Sequence, residues 1–120
     1  MTVSPSVLWG PTGVPSSATA VYTSPASTNT TTVITRAFVT NQSNAASTLT
    51  IWVVRSGLSR ANSNIVFGAA AAGQSIAAGP SSPTVIDALA GLVLAPGDAI
   101  HVVSNNANDL NFTGSGWTQA

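Results

Sequence analysis

A chain of 120 residues makes one domain with a single core, and 44% hydrophobic residues with a mean hydropathy of +0.34 exclude a disordered tail. Charged side chains are only 5%, namely Arg36, Arg55, Arg60, Asp87, Asp98 and Asp109, with a net charge of +0, against roughly 25% charged in an average soluble domain. Three scattered arginines make no basic stripe for nucleic acid, and the absence of cysteine removes disulfides, thiolate metal sites and cysteine nucleophiles together.

Taken in order, residues 1–17 read as an irregular arm, because Pro5, Gly10, Pro11, Gly13 and Pro15 interrupt both ladder and helix. Val7, Leu8 and Trp9 lie in the middle of this arm and need an apolar surface to dock on, either their own domain or a neighbouring subunit. Residues 18–120 form the domain proper. Residues 19–24 read as a short strand and 31–41 as the clearest strand of the chain, β-branched and alternating with period two. That alternation places Ile34, Arg36, Phe38 and Thr40 on one face and Val33, Thr35, Ala37 and Val39 on the other. Residues 47–55 are a second strand, with Leu49, Ile51, Val53 and Arg55 on one face and Thr48, Thr50, Trp52 and Val54 on the other. The short loop between them predicts an antiparallel hairpin.

Further along, 64–67 is a short strand, and glycines at 68, 73 and 79 cut the alanine run at 69–72 short of a helix. A brief strand is expected around 74–77, a break at 80–83, and two short strands over 83–94, where Gly91 and the β-branched content outweigh a possible helix start at Ser82-Pro83. Pro96-Gly97-Asp98 then makes a tight turn between two apolar runs: proline presets φ, glycine accepts positive φ, and Asp98 bonds nearby backbone. Residues 99–104 and 110–113 are the last strands, followed by Gly114-Ser115-Gly116-Trp117. Many short strands with regularly spaced turns predict an all-β chain, a single antiparallel β-sandwich or jelly-roll-like domain carrying a Pro/Gly-rich arm.

Chemistry-bearing patterns are sparse. His101 and Asp98 nominally offer two members of a triad, yet no nucleophile elbow accompanies them. Three separated aspartates and one histidine make neither a metal site nor a glycosidase pair, and a phosphate loop needs a lysine. The expectation is a non-enzyme with no catalytic, cofactor-binding or metal-binding residues and no cofactor. Three Asn-x-Ser/Thr matches, starting at Asn29, Asn41 and Asn111, carry little weight in so Asn-, Ser- and Thr-rich a chain. The start of the chain lacks the charged and apolar regions of a signal peptide. No apolar run approaches the roughly eighteen residues of a membrane helix, so synthesis in a cytoplasm and no membrane partner are expected. Low charge has two readings, a surface covered by neighbours or a neutral Ser/Thr/Asn coat on an extracellular domain. Trp52 and Trp117 join Val7, Leu8 and Trp9 as candidate partner-interface residues, since tryptophans anchor interfaces or stack on sugars.

The run VYTSPASTNTTTVITRAFVTNQSNAASTLTIWVV, followed after a variable middle by LAGLVLAPGDAIHVVSNNANDLNFTGSGW, resembles a group of small tailed-phage virion proteins. The shared elements are a "taP" opening at 23–25, a "tN" loop at 40–41, an "L.pGD.I" bend at 94–100 and a closing "sG" strand at 113–116, so the likeness spans about Val21 to Trp117. The resemblance implies a component of the virion, made in the host cytoplasm. It would be a capsid decoration (cement) protein that binds and stabilises the outer shell, or a tail- or baseplate-associated structural protein. It also implies a homotrimer whose partners are its own copies and the major capsid protein or another virion protein. A carbohydrate- or receptor-binding module stacking sugar on Trp52 or Trp117, and an enzyme joining His101 to an aspartate, are the remaining alternatives.

Overall fold

A computed structural model describes residues 3–68 and 73–119, apart from the side chains at 3–5 and 80–82. Ten strands are described: β1 (Val3–Gly13), β2 (Thr19–Thr23), β3 (Thr31–Asn41), β4 (Ser47–Val54), β5 (Ile65–Phe67), β6 (Gln74–Ile76), β7 (Gly79–Val85), β8 (Val93–Leu94), β9 (Ala99–Ser104) and β10 (Leu110–Gln119). They form two antiparallel sheets. The first runs β1-β10-β3-β7, with β8 also on β3; the second runs β2-β9-β4-β5, with β6 also on β4. Counting β5 with β6 and β7 with β8 as single edge positions gives eight places in the orders 1-8-3-6 and 2-7-4-5. That is the strand order of a two-sheet jelly roll, as expected. The predicted strands at 64–67, 74–77 and 99–104 are present, whereas the alanine run at 69–72 lies outside the described residues.

Four expectations give way. The stretch read as an arm is a strand of the sandwich: β1 pairs with β10 from Val3↔Gln119 to Gly13↔Asn111, so the domain does not begin at residue 18. Proline is tolerated there because β1 is an edge strand, with one side free of ladder bonds. The same reason admits Pro80 and Pro83 into β7, where a break was expected. Residues 31–41 and 47–55 are not a hairpin either. β3 and β4 belong to different sheets, and the link between them is a corner built on buried Asn41. Asn41 Nδ2 donates to the carbonyls of Ala45 (2.9 Å) and Ile76 (3.0 Å), while its Oδ1 accepts from the backbone N–H (2.9 Å) and the hydroxyl (2.8 Å) of Ser43. Finally, β10 runs on through Gly114-Ser115-Gly116 to Gln119. Both glycines are inward-facing and allow close approach, since a Cβ at Gly114 would meet the Trp9 ring and one at Gly116 the carbonyl of Val33.

The core lies between the sheets and is built from Trp9, Ile34, Leu49, Ile51, Ile100 and Phe112 with their neighbours. Strand β3 reaches it in two phases. Ile34 pairs with Gly116 and Arg36 with Ser115, so Thr35 is an extra residue, a β-bulge. Thr32 and Ile34 face inward before the bulge, and Ala37, Val39 and Asn41 after it. Strict alternation therefore assigned Arg36 and Phe38 to the face of Ile34 in error.

The Pro-Gly-Asp bend joins β8 of the first sheet to β9 of the second. Asp98 N–H donates to Ala95 C=O (3.1 Å) with Gly97 at φ +84°, a type II turn. Asp98 is 2% exposed, and its carboxylate fastens the turn to the end of β4. Oδ2 accepts from Arg55 Nη1 (2.6 Å) and the Ala95 N–H (2.9 Å), and Oδ1 from the Ser56 N–H (2.9 Å).

Candidate interaction surface

The jelly roll leaves two outer faces, and they differ. On the first sheet, β10 alternates buried Leu110, Phe112, Gly114 and Gly116 with outward Asn111, Thr113, Ser115 and Trp117. Trp117 is directly paired with Val33 of β3, and Val33 with Val93 of β8, giving one apolar row across three strands. A second row runs from Thr113 through Phe38 to Val85. Between them, Val7 of β1 lies opposite Ser115, which lies opposite Arg36. Of the four large apolar side chains that stand exposed among the described residues, Val7 (63%), Val85 (43%) and Val93 (52%) are on this face. Its polar positions are quiet, with Thr35 Oγ1 donating to the Ser115 carbonyl (3.1 Å). The single charge on its strands is Arg36, whose guanidinium lies 5.5 Å from the Phe38 ring centroid and has no ion pair with a described carboxylate; at the end of the sheet Arg55 Nη1 donates to the Val93 carbonyl (3.1 Å).

On the second sheet, Trp52 of β4 and His101 of β9 are directly paired and face outward, yet Trp52 is 8% exposed. The 55–64 loop folds back over it. The Arg60 guanidinium lies 5.9 Å from the Trp52 ring centroid, and its Nη1 is 2.8 Å from His101 Nδ1. Arginine has no acceptor, so Nδ1 carries the lone pair and His101 is neutral, protonated on Nε2. Burial, with the charge of Arg60 added, holds the His101 pKa below its ordinary value of 6.5.

The five expected interface residues thus separate. Val7 and Trp117 come together on the outer face of the first sheet. Trp9 does not: it is 5% exposed, tilted against Tyr22 and Phe112 at 5.5 and 5.2 Å between centroids, because the bulge after Val7 turns the strand inward. Leu8 packs against the core. Trp52 is capped by Arg60 and presents no open platform. His101 and Asp98 do not meet either, since one bonds Arg60 and the other Arg55. Among the described residues no three His, Asp or Glu side chains gather as metal ligands, and no helix is long and apolar enough to cross a membrane. Reading the residues alone missed Val33, Phe38, Val85 and Val93. The signal was Arg36, a charge that strict alternation put on the face of Ile34, where only a bulge reconciles the two.

The class this geometry defines is an all-β, two-sheet sandwich with one apolar outer face. Comparison with known proteins goes no further: no protein-family model matches the chain, and no curated protein or solved structure matches it significantly.

Proposed function

We propose that the chain is a structural component of a tailed-phage virion, a capsid decoration protein that binds the outer shell and its own copies through the outer face of the first sheet. The observation that carries the binding role is the clustering of Val7, Val33, Val85, Val93 and Trp117 on one sheet face whose strands carry a single charge. A solvated face avoids that arrangement, and interfaces favour it. Jelly rolls serve many functions, so the placement on a phage particle rests on the sequence resemblance. Association would bury apolar area at roughly 25 cal/mol per Å², and several such contacts in one trimer reinforce one another through effective concentration. A tail-associated location is the alternative placement of the same surface.

Co-sedimentation with empty shells of the cognate phage tests this. Binding is expected to persist when salt is raised to about 0.5 M, because so few charges take part, and to be lost in Val93→Asp. Absence of binding to shells, or binding abolished by salt and indifferent to Val93→Asp, would overturn the reading.

A further inference from the structure

We propose that Arg60 and His101 form a pH-sensitive latch that holds the 55–64 loop over Trp52 and opens when His101 gains a proton. The loop is anchored at its start, where Asp98 takes the Arg55 side chain and the Ser56 N–H, and at its end, where Ile65 of β5 pairs with Trp52. Between these anchors, Leu58 N–H closes a turn onto Arg55 C=O (3.0 Å) and Asn64 Nδ2 reaches back to Ser59 C=O (2.9 Å), both bonds within the loop. Among the described residues, Arg60 is the loop side chain that bonds to the sheet between these anchors, at His101. Its bond requires the unprotonated Nδ1 of His101. A protonated imidazole has no lone pair to offer and places a second positive charge 2.8 Å from the guanidinium.

Among the described residues no carboxylate faces the His101 ring. Strand β4 carries no titratable side chain opposite His101, and Trp52 is its direct partner. On β2 the direct partner is Ala20, and the titratable group, Tyr22, turns inward against Trp9. On the loop, Arg55 is held by Asp98, leaving Arg60 as the charge that faces the ring. The sign follows from the lowered pKa of His101. The latched state binds fewer protons than the open one, so it is fully favoured above about pH 6.5 and weakens as pH falls below it. Opening would present Trp52 on the side of the sandwich away from the proposed docking face.

The test uses a Trp117→Phe background, so that emission comes from sealed Trp9 and from Trp52, with acrylamide as a neutral quencher. Between about pH 7.5 and about pH 5 the quenching constant is expected to rise about twofold, with far-ultraviolet circular dichroism unchanged. In His101→Gln, whose amide oxygen accepts from Arg60 at any pH, it should stay flat. The Cε1 proton of the single histidine should titrate below 6.5 and move upward in Arg60→Gln. Quenching that ignores pH, or that rises equally in His101→Gln, would overturn the latch. So would a histidine titration unchanged in Arg60→Gln.

Discussion

Trp9 is where an arm and a strand make opposite predictions. In the sandwich its ring is nearly sealed, packed on Tyr22, Phe112 and the bare backbone of Gly114. Truncating such a side chain to alanine removes its burial and leaves a cavity, about 3–5 kcal/mol in comparable cores. The buried indole Nε1 has no hydrogen-bond partner among the described residues, which lowers the native worth of tryptophan and places Trp9→Ala toward the lower end of that range. For 120 residues the unfolding entropy makes each kcal/mol worth about 4 °C, so the melting temperature should fall by roughly 12–16 °C. Urea unfolding followed by circular dichroism measures the same loss as a lower midpoint at unchanged slope. A change under about 1 kcal/mol, the value for a surface-docked arm, would refute the strand account. Deleting residues 1–13 should do more, leaving little of a domain stability of about 5–15 kcal/mol.

Other outcomes follow from the polar anchors. Asp98→Ala should cost about 3 kcal/mol, because it removes the acceptor of one charged and two backbone donors. Arg55→Ala should cost less, since the Arg55 side chain is 49% exposed and the backbone donors remain. Burial pushes the Asp98 pKa up, but the hydrogen bonds from Arg55, Ser56 and Ala95 and the charge of Arg55 outweigh it and leave it below 3.8. Its contribution is therefore complete above about pH 4 and is lost on further acidification, a loss that a melting series against pH should show in the parent and not in Asp98→Asn. Asn41→Ala should cost about 2–3 kcal/mol by leaving the Ile76 carbonyl without its side-chain donor and opening the corner between the sheets, read by chemical denaturation.

What the sequence revealed depended on how local the signal was. The Pro96-Gly97-Asp98 turn and strand β9 were legible because proline, glycine and β-branched residues act within a few positions. The pairing of β3 with β10 instead of β4 was not, since a five-residue link serves a hairpin or a crossing between sheets equally well. The proline rule misled at β1 and β7 for a related reason: proline forbids a central strand but allows an edge, and being at an edge is a property of the whole sheet. At the candidate surface, Val7 and Trp117 were legible as unplaced apolar residues. Val33 and Phe38 were hidden by the bulge at Thr35, which exchanges the two faces of β3 halfway along, and Val85 and Val93 by a pairing with β3 that no local signal announces.

Light scattering of the purified protein at micromolar concentration tests the proposed docking face most directly. A mass near three times 11.9 kDa, falling toward a single chain in Val93→Asp while circular dichroism stays unchanged, is the predicted result. A monomer in the parent chain, or a trimer that Val93→Asp leaves intact, would contradict it.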